Sequence, residues 1–273
     1  MKQRILSGAV LVLFCAAIIV FNTSFPLGLN IAVALISVTG MHEILNAMGL
    51  HKKWFLCLPS LIAAAAVPFC SGDLQLLVYC LFTALIFSAM LLYHKETSFK
   101  EVGVLYSMVI LIPSALQCLV ALRDLNPAHG MYYALIAVFS AWVADAGAYF
   151  AGTFFGKHQL CPEISPKKTV EGAIGGLLIN VLFMVLSGVV LSQGMYHGTV
   201  QVHYLPLILI GFFGSIISIL GDLSFSVIKR SCHIKDFGSV IPGHGGILDR
   251  FDSVIFTAPF VYLLVSRLPL VTG

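Results

Sequence analysis

Charge is what this sequence lacks first. Its 273 residues include 15 Lys or Arg and 12 Asp or Glu, so charged side chains make up 10%, against roughly 25% in soluble proteins. Between Glu171 and Asp222 there is none. With 59% hydrophobic residues, that deficit excludes a water-soluble globular enzyme. Paired cysteine motifs are missing too. The seven cysteines form no CxxC, and Cys15, Cys57, Cys70, Cys80 and Cys118 lie in or beside apolar runs. They read as small core residues, with no disulfide framework and no zinc site expected. There is no internal repeat, no low-complexity tract and no soluble domain. The formal net charge of +3 follows from the placement of loop lysines and calls for no nucleic-acid partner.

What is present is a series of long apolar runs. They are continuous rather than alternating, which points to membrane-spanning helices of roughly 20 residues and not to barrel strands. The expected fold is an all-α integral membrane protein with about nine transmembrane helices, at 5–21, 27–48, 54–70, 73–93, 101–122, 130–151, 173–192, 205–224 and 253–270. The second carries His42 and Glu43, and the third carries Pro59 and Pro68. The run 5–21 resembles a signal peptide, but it is long for one and no small-x-small site follows, so it reads as a retained helix.

Basic residues test this count independently. With nine spans and a cytoplasmic N-terminus, Lys2, Arg4, Lys52, Lys53, Lys95, Lys100, Lys157, Lys167, Lys168, Lys229, Arg230, Lys235 and Arg250 share the cytoplasmic side. Only Arg123 and Arg267 fall on the far side, where the C-terminus also lies. The chain then reads as one polytopic membrane domain over 1–273, with N-terminal helices over 1–128 and catalytic helices and cytoplasmic loops over 129–273.

Two polar concentrations stand out on that cytoplasmic side. The first is Trp142–Gly172. Asp145 lies about 10 Å inside the expected end of its helix, at 1.5 Å per residue. A carboxylate there must be paired, hydrated or metal-bound. It is either a structural group bonded to a hydroxyl or a neighbouring helix, or a functional one. Tyr149 shares its face at i+4, and Ala144, Ala146, Gly147, Ala148, Ala151 and Gly152 permit close approach by a helix or a ligand. "SPKKT", Ser165–Thr169, adds the ammonium groups of Lys167 and Lys168 and the hydroxyls of Ser165 and Thr169 beside a proline-fixed turn. That suits an anionic ligand such as a triphosphate, or unspecific binding of lipid headgroups.

The second concentration ends in "KRSCHIKDFGSVIPGHGGILDRFD", 229–252. Asp222, Ser226 and Lys229/Arg230 form one helical stripe. After a glycine-rich turn come Asp249 and Asp252, three apart and so on one face of the next helix, with Arg250 between them as a planar fork. Amides near Gly245 and Gly246 are expected to face a phosphate. Asp145, Asp222 and Asp249 are hard-oxygen donors of the kind Mg²⁺ takes together with substrate phosphates. His244 either contacts a phosphate, acts as an acid or base, or is a loop histidine. Carboxylates for a divalent cation, cations for phosphates and glycines for backbone approach serve phosphoryl or nucleotidyl transfer. His42–Glu43 begins like HExxH, but Asn46 stands where the second histidine would be, which favours a structural or cavity role over metal binding.

The stretch Ser226–Asp252 resembles the signature of the phosphatidate cytidylyltransferases (CDP-diacylglycerol synthases): Ser, two residues, Lys-Arg, four residues, Lys-Asp, a turn with His-Gly-Gly, then Asp-Arg-x-Asp. Every fixed position is present. The likeness extends upstream through "ADAGAYFAG", "SPKKTVEG" and "GDLSFS" and so covers about 140–252, while the first half is similar only in length and hydropathy. The resemblance implies that CTP and phosphatidic acid give CDP-diacylglycerol and pyrophosphate in the inner (cytoplasmic) membrane, at its cytoplasmic face. It implies Mg²⁺ held by Asp222 and Asp249 with Asp145 contributing, and a K⁺ ion beside it. Lys167, Lys168, Lys229, Arg230 and Arg250 would hold phosphates, and Ser226, Lys235, Asp236, His244 and Asp252 would complete the site. A homodimer is implied in the same way. The competing readings are a CTP-dependent polyprenol-type lipid kinase, which would move the γ-phosphoryl group, and an ion-coupled transporter. The full signature argues against the kinase. The lack of an inverted repeat with paired broken helices argues against the transporter.

Overall fold

Inside hydrocarbon each backbone amide needs a partner within its own segment, so continuous apolar runs become helices. The computed structural model describes residues 16–195, 197–240 and 245–272. Most of the run expected at 5–21 lies outside those residues. Helical residues at 16–20 are followed by α1 (Leu27–Ala47), α2 (Trp54–Ala66, continued by a 3-10 turn at Val67–Phe69), α3 (Asp73–Leu92), α4 (Phe99–Asp124) and α5 (Gly130–Phe155). Then come α6 (Val170–Val189, running into a π turn at Val190–Met195), α7 (Tyr204–Ser231) and α8 (Leu248–Arg267). Two short antiparallel ribbons complete the described chain: β1 (Gln159–Cys161) with β2 (Ser165–Thr169), and β3 (Gln201–Val202) with β4 (Val271–Thr272).

Among the described residues six helices are long and apolar enough to cross a membrane: α1, α3, α4, α5, α6 with its π turn, and α7. Leu76, Leu91, Leu92, Phe154, Leu178 and Leu205 stand exposed on them, as lipid-facing side chains do and water-facing ones in such number do not. The chain is a multi-pass membrane protein. The apolar stretch expected at 54–70 is shorter, Trp54–Phe69, with Pro59 inside its helix and Pro68 in the 3-10 turn. The last helix has the length, but its first turn holds Asp249 and its last turn Arg267.

The chain gathers into two compact units, one made of the residues up to Val120 with Ser231–Phe251, the other of Ala121–Arg230 with Asp252–Gly273. In the first, Met41, Ile44, Leu45, Leu56, Ile86 and Leu105 are fully buried. Ser98 and Glu101 form a capping box at the start of α4: the Ser98 amide donates to Glu101 Oε2 at 2.9 Å and the Glu101 amide to Ser98 Oγ at 3.3 Å. Lys53, at the head of α2, donates to both oxygens of the same carboxylate at 2.8 and 2.9 Å.

In the second unit α5 and α6 lie backbone to backbone. A Cβ on Gly176 would stand 2.6 Å from the Ala144 carbonyl oxygen, and one on Gly147 would stand 3.1 Å from Gly176 Cα. The small residues expected to admit a helix or a ligand therefore admit a helix. Gly172 and Gly176, four apart in sequence, are its side of the contact, and that small-xxx-small spacing was readable. Asn180 then ties three helices together in the core, donating to Ser140 Oγ at 3.3 Å, the Gly211 carbonyl at 3.1 Å and Ser215 Oγ at 3.0 Å.

Candidate active site

The helices overrun the apolar segments that predict them, and the overrun of α7 carries Ser226, Lys229 and Arg230. Helix α5 extends to Phe155, so Asp145 sits ten residues, about 15 Å, from its end. Helix α7 is 28 residues long, about 42 Å, well beyond a bilayer core of about 30 Å. Asp222, Ser226, Lys229 and Arg230 ride on its last third in one unbroken helix, as their spacing predicts.

Within the second unit these elements assemble a charged cluster. Asp145 accepts the Ser218 hydroxyl from α7 at 3.0 Å on Oδ1 and the Ser253 hydroxyl from α8 at 2.9 Å on Oδ2. The Asp145 carboxylate also lies within the electrostatic reach of Asp222 and Lys168. Asp252 is 6% exposed, accepts its neighbour Ser253's amide at 2.8 Å, and feels the charges of Asp222, Lys229 and Asp145. Lys168 on β2 forms an ion pair with Asp222. Its ammonium nitrogen is shut off from solvent, and this pair, with the Asp145 charge nearby, offsets its desolvation. Gly221 lets α8 approach at this level, since a Cβ there would stand 2.9 Å from the Asp252 carbonyl oxygen.

The segment carrying Lys167 and Lys168 is a strand, not the turn its proline suggests. Gln159 pairs with Thr169 and Cys161 with Ser165. Glu171, at the first turn of α6, holds the ribbon's base by accepting the Lys157 amide at 3.0 Å, the His158 amide at 3.2 Å and the His158 ring Nδ1 at 2.6 Å. Thr169, expected to offer its hydroxyl to a substrate, instead caps α6 by accepting the Gly172 amide at 3.1 Å. Lys167 stays exposed. Tyr149, placed by spacing on the face of Asp145, is 69% exposed.

The first unit holds the other part of the signature. Asp249, in the first turn of α8, folds back to accept the Gly246 and Phe237 amides, both at 3.0 Å on Oδ2. Glu43 of α1 accepts the Ile247 amide at 2.8 Å and the Leu248 amide at 2.9 Å. The Gly246 amide, expected to face a phosphate, is thus spent on Asp249. Lys235, Asp236 and Arg250 are exposed, and Gly245 takes a positive φ of 86°. His244 lies outside the described residues. Spacing gave no sign of Ser218, Ser253 or Glu43 as partners of this machinery, although Ser218 stands one helical turn before Asp222 and Ser253 adjoins Asp252.

Among the described residues no three His, Cys, Asp or Glu side chains already surround one point as a metal cage. The donor chemistry nevertheless fits a hard divalent cation. Three carboxylates, Asp145, Asp222 and Asp252, face two ammonium groups, Lys168 and Lys229. Mg²⁺ characteristically takes one or two protein carboxylates and completes its shell with water and phosphate oxygens.

The sequence profile of the Cytidylyltransferase family matches residues 2–268. A Phosphatidate cytidylyltransferase of Bacillus subtilis (strain 168) is 34% identical over 275 residues, 97% of this chain and 98% of its own. One of Staphylococcus haemolyticus (strain JCSC1435) is 31% identical over 278 residues, 98% of this chain and 100% of its own. Over 134 residues, 49% of this chain and 47% of the relative, identity with the Phosphatidate cytidylyltransferase of Aquifex aeolicus (strain VF5) is 43%. The match extends through the amino-terminal helices, where sequence reading alone offered only length and hydropathy. With similarity over nearly the whole length, the chain belongs to the Cytidylyltransferase family.

Proposed function

We propose that this protein is a phosphatidate cytidylyltransferase. A phosphate oxygen of phosphatidic acid attacks the α-phosphorus of CTP, the bond from that phosphorus to the bridging oxygen breaks, and CDP-diacylglycerol and pyrophosphate result. The observation that carries this reading is the cluster itself: Lys229 and Asp252, two fixed positions of the signature, and Asp222, just upstream of it, come together with Asp145 and Lys168. Such chemistry is mostly positioning and charge neutralisation, and the cluster supplies charges of both signs.

By the resemblance, Asp145, Asp222 and Asp249 would hold Mg²⁺, with a K⁺ ion beside it; a divalent cation supplies charge neutralisation at phosphate oxygens. Lys167, Lys168, Lys229, Arg230 and Arg250 bind the phosphates of the two substrates. Ser226, buried on α7, serves the site with Lys235, Asp236, His244 and Asp252. On the sequence reading of nine spans with a cytoplasmic N-terminus, the reaction runs at the cytoplasmic face of the cell membrane; by the resemblance, the working form is a homodimer.

The test is product identity. Detergent-purified protein given CTP, phosphatidic acid and Mg²⁺ yields equimolar CDP-diacylglycerol and pyrophosphate by mass spectrometry and phosphate release. A phosphorylated lipid with CDP in solution contradicts the proposal and makes the protein a kinase.

A further inference from the structure

Ile247 and Leu248 open the helix that carries Asp249 and Arg250, and neither can cap it. A helix leaves its first amides without internal partners, and the usual remedy is Ser, Thr, Asp or Asn just before the first turn. Here Gly245, Gly246 and Ile247 occupy that place. The cap comes from 204 residues away: Glu43 Oε1 accepts the Ile247 amide at 2.8 Å and Oε2 accepts the Leu248 amide at 2.9 Å. Glu43 is 2% exposed, a costly state for a carboxylate on an apolar helix, and it suits the partial positive charge of a helix start.

The neighbouring backbone is shaped to this side chain. A Cβ on Gly246 would stand 2.6 and 2.7 Å from the two Glu43 oxygens, and one on Gly238 would stand 2.7 Å from Oε1. Two glycines, Gly246 of the signature's His-Gly-Gly and Gly238 before it, therefore make room for Glu43. Asp249 takes the two adjacent amides, those of Gly246 and Phe237. Four amides, those of Phe237, Gly246, Ile247 and Leu248, close on two carboxylates.

From this geometry we infer that Glu43 is a positioning residue for cytidylyl transfer: it fixes the start of α8 and the loop before it, and so aims Asp249 and Arg250. The inference rests on the functional reading above. A capping serine at 247 would secure the helix equally well. A long carboxylate from α1 also fixes where the helix start lies, which a local cap does not.

Glu43→Gln, nearly isosteric, tests this in the full-length protein in detergent. One amide loses a charged acceptor, so exchange of the backbone amides over 245–249 accelerates by about tenfold, within the range for loss of a cap, while those of Phe99–Asp124 keep parental rates. Turnover falls about tenfold or more, and KM for CTP stays within about twofold, the split expected of an effect on the transition state. Unchanged local exchange with turnover within about twofold overturns the inference. So does faster exchange through the whole chain with normal turnover in the folded fraction, which marks a merely structural residue.

A second set guards against a variant that does not fold. Gly238→Ala crowds the Glu43 carboxylate, and Glu43→Asp withdraws it. If both act through one contact, the double variant is no worse than the worse single variant; losses that multiply overturn the inference. A parental protein without cytidylyl transfer sinks the functional reading instead, and that failure shows in the parental sample rather than in the variants.

Discussion

Asp145 is held by two serine hydroxyls that donate to separate oxygens, so its carboxylate plane is set by helices α7 and α8 rather than by its own. A buried acid fixed in this way faces the Asp222 charge and the Lys168 ammonium at low reorganisation cost. The structural reading of Asp145 holds, since it is bonded to two hydroxyls; its nearness to Asp222 and Lys168 is what supports the proposed functional one. Asp145→Asn keeps the shape and one acceptor but removes the charge. Activity is expected to fall by at least about a hundredfold, as when one preorganised electrostatic partner is lost, with the thermal midpoint little changed. Ser218→Ala, which leaves the charge and deletes one donor, is expected to cost about tenfold, the equivalent of one hydrogen bond to a charged group. A larger loss from Ser218→Ala than from Asp145→Asn, in steady-state turnover, would contradict this order.

Among the elements, the close pairing of α5 and α6 brings Asp145 and the base of the Lys168 ribbon into one unit. Gly176→Leu forces a Cβ against the Ala144 carbonyl and the Ala148 backbone at 2.6 and 2.9 Å. Overpacking of that kind costs about 1–3 kcal/mol, so the thermal midpoint and the folded yield should drop. Gly103→Leu on α4, where a Cβ meets nothing within 4 Å, is the control and should leave both unchanged. If the two variants melt alike, the helix contact is not what the small residues serve. The sequence made α1 and α3 legible almost to the residue, because hydropathy marks where a run is apolar. Hydropathy missed the extension of α5 to Phe155, since a helix leaving the bilayer continues through polar residues, and that of α7 to Ser231 showed only in the spacing of Asp222, Ser226 and Lys229. Ser165–Thr169 read as a turn because its strand partner, Gln159–Cys161, is too short to show a period.

At the scale of the whole molecule, scarcity of charge in the apolar helices makes the few charged positions informative. The signature was legible because its fixed residues are contiguous in sequence, and the family membership that follows from it extends over nearly the whole chain. Contacts between distant segments were not legible: Glu43 reads as an isolated acid until the loop at Ile247 is folded against it. Hydropathy likewise could not decide Trp54–Phe69, where two prolines and a short run leave length as the only guide. The central claim is that the Asp145–Asp222–Asp252 cluster and its lysines serve transfer of a cytidylyl group to a lipid phosphate. Its most direct test is to incubate purified protein with phosphatidic acid, Mg²⁺ and CTP labelled at either the α- or the γ-phosphate, and to count the lipid extract, with Asp222→Asn in parallel. The account predicts α-label in the lipid, no γ-label, and loss of the signal in the variant; γ-label in the lipid, or α-label that survives Asp222→Asn undiminished, would contradict it.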